Sequence, residues 1–472
     1  MSHAAGTQTM TIGGRSEPGE TTFGVINPAT GAVFADAPEC GPAQLETAMR
    51  VAAEAFGDWK ADEGFRRECL RRAADVMAGA SDRIGPLLTA EQGKPLRIAG
   101  AEAQVAAMWF RYYAELPNPR QVIRQDESVL VEAVRRPLGV VAAIAPWNAP
   151  VVVAAFKIAP AMLAGNTVVL KPSPFTPLST LLMGELLRDV FPPGVLNVVS
   201  GGDQLGRLMS QHPIPRKISF TGSVATGKAI FASAAPDLKH LTLELGGNDA
   251  AIVLDDADPA EVGEKLFWKA FQNTGQICAA VKRIYVHERV AAGVIETLTE
   301  LARTVVVGNG MDERTQLGPI NNRPQFDRVV GLVEDALHCG AQATVGGKAL
   351  DGPGYFFAPT VLIDITEGVR MVDEEQFGPA VPVMTYRDLD EAVARANATT
   401  FGLSGSVWTS DPERGAAVAE RLECGTSLVN AHSELGPDQP LVGAKWSGIG
   451  AENGQWGLEG MTQLQVRYSA RT

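Results

Sequence analysis

The chain has 472 residues, 45% hydrophobic and 20% charged, a balance that excludes a disordered or fibrous protein. That length predicts about three folding units rather than one core. The net charge of −13 sets the surface against nucleic acid and acidic membranes, and no Lys/Arg run forms a phosphate-binding stripe.

Residues 1–20 are polar and glycine-rich, with no apolar leader segment, and read as a loose arm. From 23 to 38 apolar and small residues alternate around Asn27-Pro28 and Thr30-Gly31, the pattern of short strands and turns. Leu45, Ala48, Met49, Ala52, Ala55 and Phe56 recur at helical spacing and predict a helix over 42–59. Further helices are expected at 63–80, 84–91 and 97–116. The last carries Met108, Trp109, Phe110, Tyr112 and Tyr113, a cluster suited to a core or a pocket wall. Residues 122–135 then read as an extended ribbon. Residues 463–468 look alike, with Leu464, Val466 and Tyr468 on one face. Two such segments can pair with each other or add to another subunit's edge. The uncharged stretch 137–156 is long enough to cross a bilayer. Pro146, Asn148 and Pro150 break it instead into a buried strand and a helix start.

Strands expected at 140–145, 167–170, 195–199, 217–220, 241–244 and 251–254 alternate with helices at 149–163, 178–190, 204–210 and 224–234. This alternation predicts an α/β fold with a largely parallel sheet covered on both faces. Ligands of such sheets sit beyond the carboxyl ends of the strands. A second α/β unit begins near 259. Its helices are expected at 259–272, 290–304, 324–339 and 389–396, and its strands at 283–287, 360–363, 380–385, 404–408 and 426–430.

The chemistry centres on Asn273-Thr274-Gly275-Gln276-Ile277-Cys278-Ala279-Ala280, where no charge lies between Lys269 and Lys282. An isolated cysteine is ordinarily a small buried hydrophobe. The five cysteines, at 40, 69, 278, 339 and 424, are odd in number and scattered. They form neither a disulfide framework nor a zinc cluster, so a reducing, cytoplasmic setting without a metal site is expected. Other stretches add chemistry at expected strand ends. In Pro146-Trp147-Asn148 the asparagine amide can face a developing oxyanion or simply make a turn. Lys171-Pro172-Ser173 offers an ammonium to ribose or phosphate, or is an exposed lysine before a rigid turn. Phe220-Thr221-Gly222-Ser223 opens a helix whose N–H groups suit a pyrophosphate, or is only a serine cap. Glu244-Leu245-Gly246-Gly247 places a carboxylate that can act as a base or bind backbone N–H groups. Glu374-Glu375-Gln376-Phe377-Gly378-Pro379 is a further carboxylate pair, or a solvated turn.

In this order and at these separations the six stretches resemble the aldehyde dehydrogenase superfamily, over about 23–464. The resemblance implies a Rossmann-type cofactor domain (1–117 and 137–245), a catalytic domain (246–445) and a β-ribbon oligomerisation arm (118–136 and 446–472). It implies Cys278 as nucleophile, Asn148 with the Cys278 N–H as oxyanion donors, and Glu244 as the base that releases a thioester. Lys171 would bind the adenosine ribose, Gly222 and Ser223 would follow the pyrophosphate, and Glu375, beside Phe377, would hold the nicotinamide ribose. Ile144, Pro146, Trp147, Ser173, Pro174, Phe220 and Leu245 would line the cofactor site, and Gly246 and Gly247 would leave room for the nicotinamide. The implied partner is a small-molecule aldehyde, and the implied assembly a homodimer or homotetramer.

Two departures matter. Pro174 stands where many members carry a glutamate that grips the adenosine ribose. No arginine replaces it, so NAD is the expected cofactor with NADP use open. Pro440-Leu441-Val442-Gly443 replaces a common Pro-Phe-Gly-Gly and alters packing near the substrate mouth. Residues that would line the tunnel are Ala149, Val152, Phe156, Gln272, Ile277, His432 and Leu435. With no arginine beside Cys278 except Arg283, a neutral aliphatic or aromatic aldehyde is favoured over an anionic semialdehyde. His432 reads as a rim or structural residue. A CoA-acylating relative would commonly lack Glu244, and a catalytically silent cofactor-binding protein would not need Cys278, Glu244 and Asn148 together. A cysteine hydrolase would want a histidine in a matching motif, and there is none.

Overall fold

The computed structural model describes residues 8–118 and 120–471. The alternating segments build two sheets and a small ribbon. The first sheet runs, in spatial order, Gly448–Ile449, His240–Glu244, Lys217–Thr221, Val140–Ile144, Thr167–Lys171, Leu196–Val198, Met10–Ile12 and Arg15–Glu17. Its five inner strands are parallel, and antiparallel strands close both edges. Val140–Ile144 and Thr167–Lys171 are buried at every position, as strands covered on both faces require.

The described part of the first 20 residues is not a loose arm. Met10–Ile12 and Arg15–Glu17 form a hairpin on the sheet edge, with Met10 fully buried. Gly13 and Gly14 turn it at φ 59° and 76°, a conformation that favours glycine. The rest of that segment, 1–7, lies outside the described residues. The uncharged stretch 137–156 divides between the strand Val140–Ile144 and the helix Pro150–Ala164. Pro150 occupies the first turn of that helix, where its missing N–H costs nothing.

The second sheet runs Gln342–Val345, Thr360–Ile363, Ala380–Tyr386, Val281–His287, Asp249–Val253, Ser404–Trp408 and Thr426–Val429, parallel except for its first pair. The strand expected at 251–254 therefore belongs here and not to the first alternating set. Hydrophobic alternation cannot detect a change of sheet; the chain makes it at Gly246-Gly247, between Glu244 and Asp249. Sequence periodicity also missed the edge strand Gln342–Val345 and the helix Pro412–Ala419, both short and half-exposed.

The ribbon joins Thr462–Ala470, Val129–Pro137 and Gln121–Gln125, all antiparallel, with Thr462 opposite Pro137 and Ala470 opposite Val129. Residues 446–461 are not part of it. Gly448–Ile449 adds to the first sheet, and Gly454 accepts a hydrogen bond from the Tyr113 hydroxyl. Val122, Ile123, Leu464, Val466 and Tyr468 stand exposed on the ribbon. The aromatic cluster of Leu96–Glu115 is mainly core. Trp109, Phe110 and Tyr113 are buried, and Trp109 stacks on Phe156 at 4.4 Å between ring centres.

Candidate active site

Register aligns four strand ends of the first sheet. Glu244 lies opposite Thr221, Phe220 opposite Ile144, and Ile144 opposite Lys171. The segments Pro146-Trp147-Asn148, Lys171-Pro172-Ser173, Gly222-Ser223 and Leu245-Gly246-Gly247 therefore leave the sheet along one edge. Opposite them, the helix Pro259–Phe271 ends in a strained turn. Asn273, Thr274 and Gly275 are successive left-handed residues, at φ 52°, 58° and 72°. A non-glycine residue in that region costs about 1–3 kcal/mol and persists only where its surroundings fix it. Here the Thr274 hydroxyl donates to the Gly318 carbonyl at 2.9 Å. Gln276 Nε2 donates to the Asn273 carbonyl at 2.9 Å, and Gln276 Oε1 accepts from the Asn321 N–H at 2.8 Å. A Cβ on Gly275 would overlap the Gly378 carbonyl. The turn presses the cysteine loop against the loop of Glu375 and Phe377.

The same turn carries Cys278 to Asn148. Asn148 Nδ2 donates to the Gln276 carbonyl at 2.9 Å, and Asn273 Nδ2 donates to the Asn148 carbonyl at 3.2 Å. Lys94 Nζ also donates to the Asn148 carbonyl, at 2.7 Å, and is paired with buried Glu102. Among the described residues the Cys278 N–H has no partner within the protein. An amide NH2 is thus anchored on the cysteine loop, and a backbone N–H of that loop is left without a partner among the described residues.

Glu244 is buried, and among the described residues neither carboxylate oxygen has a hydrogen-bond partner. Burial pushes its carboxyl well above the usual range; Glu452 adds to this and Lys157 opposes it. Lys157 is wholly buried. Its ammonium reaches Glu452 Oε1 at 2.6 Å, Thr221 Oγ1 at 2.8 Å and Ser219 Oγ at 3.2 Å. An unpartnered buried carboxyl is costly when ionised, so burial favours the protonated form of Glu244. Cys278 is half-buried, and burial is the first cause that pushes its thiol up to about 12. The fields of Asp249, Glu375 and Glu244 act in the same direction, and Lys282 opposes them. The fields of three carboxyls and one ammonium therefore act on the thiol.

Other side chains along the strand ends have spare capacity for a dinucleotide. Lys171 is buried, and among the described residues its ammonium donates only to the Pro172 carbonyl, at 3.2 Å; burial lowers it to about 8. Ser173 is buried beside half-buried Pro174. Ser223 caps the helix Val224–Ala234, accepting from the Thr226 N–H at 3.2 Å. Only glycine fits at 222, because a Cβ would overlap the Phe220 ring. Trp147 meets Phe377 edge to face at 5.2 Å. Ile144 and Leu245 are buried beneath the row, with Pro146 half-buried at its edge. Gly246 and Gly247 do not stand beside open space. A Cβ on Gly246 would overlap the Glu375 carboxylate, and one on Gly247 would crowd Asp249 and the Cys278 carbonyl. Glu375 Oε1 accepts from the Gly247 N–H at 3.1 Å.

Sequence reasoning missed the groups that hold these loops. Gln325 Nε2 donates to the Gln376 and Phe377 carbonyls at 2.8 and 3.1 Å. Arg328 binds Glu374 Oε2 at 2.8 Å and the Glu375 carbonyl at 3.1 Å. Their signal was faint: two polar residues on the partly exposed first turns of Arg323–His338. His432 is structural and not on the rim. It is fully buried, its Nδ1 lies 2.8 Å from Ser406 Oγ, and burial lowers it to about 3. Its neighbour Ser433 donates to the Ala279 carbonyl, bracing the cysteine loop. Arg283 is spent on the Asn248 and Ala396 carbonyls, both at 2.9 Å. Phe156 is buried in the helix after Asn148, with Val152 half-buried, while Leu435 is exposed.

The model of the aldehyde dehydrogenase family matches residues 15–466. The chain is 37% identical over 459 residues to a mitochondrial aldehyde dehydrogenase of Leishmania tarentolae, covering 96% of this chain and 92% of that protein. It is 38% identical over 455 residues to a probable succinate-semialdehyde dehydrogenase [NADP(+)] of Sinorhizobium fredii, covering 94% and 92%. The fold is similar to that of an aldehyde dehydrogenase from Bacillus cereus solved as its NAD+ complex. The TM-score is 0.96 at 33% identity, covering 99% of this chain and 97% of that one.

Proposed function

The chain belongs to the aldehyde dehydrogenase family, and we propose that it oxidises a neutral aliphatic or aromatic aldehyde to the acid through a covalent intermediate on Cys278. One observation carries this reading. The Asn148 amide donates to the Gln276 carbonyl two residues before Cys278, the Cys278 N–H has no partner among the described residues, and Glu244, whose field reaches the Cys278 thiol, has both carboxylate oxygens unpartnered among those residues.

The Cys278 thiolate adds to the carbonyl carbon, and the oxyanion forms between Asn148 Nδ2 and the Cys278 N–H. A donor positioned in this way is worth ~3 kcal/mol in the transition state. Bound nicotinamide cofactor supplies the acceptor for the aldehyde hydrogen, which departs as hydride. The acyl group then stays on sulfur as a thioester. Glu244, once ionised, takes a proton from water, and the hydroxide so formed releases the acid. Its carboxyl is raised by burial and by Glu452, so this step speeds up as pH rises.

Lys171, Ser173, Gly222, Ser223, Glu375, Phe377 and Trp147 would hold the cofactor. The spare ammonium donors of Lys171 and the spare acceptors of Glu375 suit ribose hydroxyls. Pro174 puts no carboxylate beside the adenosine ribose, so NAD is the proposed cofactor and NADP is accepted. Substrate choice follows the cations. Arg283 is used by backbone carbonyls, and Lys269 is paired with Glu434 at 2.6 Å. Neither is free for a substrate carboxylate. The exposed apolar ribbon supports a homodimer or homotetramer, and the five free cysteines suit the cytoplasm. A panel of neutral and anionic aldehydes, read by absorbance of reduced NAD and NADP, tests the proposal. Faster turnover of a carboxylated aldehyde than of its neutral analogues contradicts the substrate class. Formation of an acyl-CoA in place of the acid contradicts hydrolysis by Glu244.

A further inference from the structure

We propose that Lys282 is the counter-charge of the Cys278 thiolate, a positioning residue that keeps this anion accessible in an otherwise acidic pocket; the inference rests on Cys278 being the nucleophile. Lys282 lies on Val281–His287 and is buried. Its ammonium donates to the Ile277 carbonyl at 2.6 Å and to the Gly275 carbonyl at 3.1 Å. The first of these is the peptide carbonyl joined to the Cys278 nitrogen. A lysine has three donors, and among the described residues the third has no protein acceptor. Phe377 faces the ammonium at 5.1 Å from its ring centre.

No carboxylate lies within ion-pair distance of Lys282 among the described residues. An ammonium buried without an ion pair is expensive; Glu375, Asp249 and the Cys278 thiolate, in that order, favour its charge from beyond ion-pair distance. The titratable groups acting on the thiol, and those near them, come from several elements. His240–Glu244 ends in Glu244, Asp249–Val253 opens with Asp249, and Glu375 stands in the loop before Ala380–Tyr386. His432, after Thr426–Val429, is neutral at ordinary pH. Lys269 on Pro259–Phe271 is neutralised by Glu434, and Lys157 by Glu452. Arg328 on Arg323–His338 serves Glu374 and the Glu375 carbonyl. Lys282 is thus the cation whose field falls on the thiol, against three carboxyls. Burial makes that field strong, because little water screens it.

The test is the pH profile of Cys278 alkylation by iodoacetamide in the full-length enzyme, followed on the Cys278 peptide by mass spectrometry. Lys282→Gln keeps donors for the two carbonyls but removes the charge. The proposal predicts an upward shift of about one pH unit, which is roughly a tenfold slower alkylation at fixed pH. Lys282→Arg keeps the charge and should hold the wild-type profile. A wild-type profile in a folded Lys282→Gln enzyme would show that Lys282 is only a loop tether and overturn the proposal. Should that variant not fold, Lys282→Arg decides, and an upward shift of one unit there overturns it. Cys278→Ala, run alongside, separates the two claims. If it keeps aldehyde turnover, the nucleophile itself is misassigned.

Discussion

Removing the Asn148 side chain isolates one of the two oxyanion donors. In Asn148→Ala the backbone stays anchored, because Lys94 Nζ at 2.7 Å and Asn273 Nδ2 at 3.2 Å hold the carbonyl and not the side chain. The Gln276 carbonyl loses its 2.9 Å partner but keeps Asn273 Nδ2 at 3.4 Å. The loop that presents Cys278 should therefore keep its shape, and the loss should be confined to the transition state. One preorganised donor is worth ~3 kcal/mol, so acylation should slow roughly 10²–10³-fold. The aldehyde KM should change little, because the bond strengthens only as the oxyanion forms. Rapid mixing with saturating NAD and aldehyde, read as the first turnover of reduced cofactor, measures this step directly. A thermal melt within a few degrees of wild type would establish that the variant is folded. A wild-type first-turnover rate in that folded variant would refute the assignment.

Glu244→Gln should leave the first turnover of reduced cofactor intact and lower the steady state about 10²–10⁴-fold, since only thioester release needs the base. In Glu452→Gln the rise of steady-state rate with pH should move to lower pH. That substitution removes a negative field that raises Glu244 and leaves Lys157 unpaired beside it; an unmoved profile would break the link. Gly275→Ala should melt well below wild type. The left-handed conformation alone costs roughly 1–2 kcal/mol, and the added Cβ meets the Gly378 carbonyl; an unchanged melting temperature would show the turn is not fixed as described. Leu464→Asp should lower the molar mass by light scattering, because the exposed face of the ribbon is the proposed subunit contact.

Much of the fold could be read from apolar periodicity. Thr360–Ile363, Ser404–Trp408 and Val224–Ala234 match their expected bounds, since each is either a fully two-faced strand or a serine-capped helix. Periodicity reports burial but not which sheet does the burying, so Asp249–Val253 was grouped with the wrong strands. It also fails where turn chemistry outweighs composition, as at Gly13-Gly14, which turns a polar segment into an edge hairpin. The candidate site was legible as spacing along the chain. The strand ends carrying Asn148, Lys171, Ser223 and Glu244 could be placed because loops after parallel strands share one side. What spacing cannot convey is the support around them. Lys94, Gln325 and Arg328 act through backbone carbonyls of distant loops and Lys282 through those of the loop just before it, and no local pattern marks a side chain for that use. The same limit explains His432, whose ring meets Ser406 on the strand Ser404–Trp408, far from it in sequence.

The most direct test of the account is to trap the intermediate. Enzyme is mixed with NAD and an aromatic aldehyde, quenched in acid within the first turnover and digested for mass spectrometry, with Glu244→Gln used to let the adduct accumulate. The account predicts an acyl group on the Cys278 peptide alone, in amounts matching the reduced cofactor formed. Reduced cofactor without that adduct, or an adduct on any of the other four cysteines with Cys278 unmodified, would contradict it.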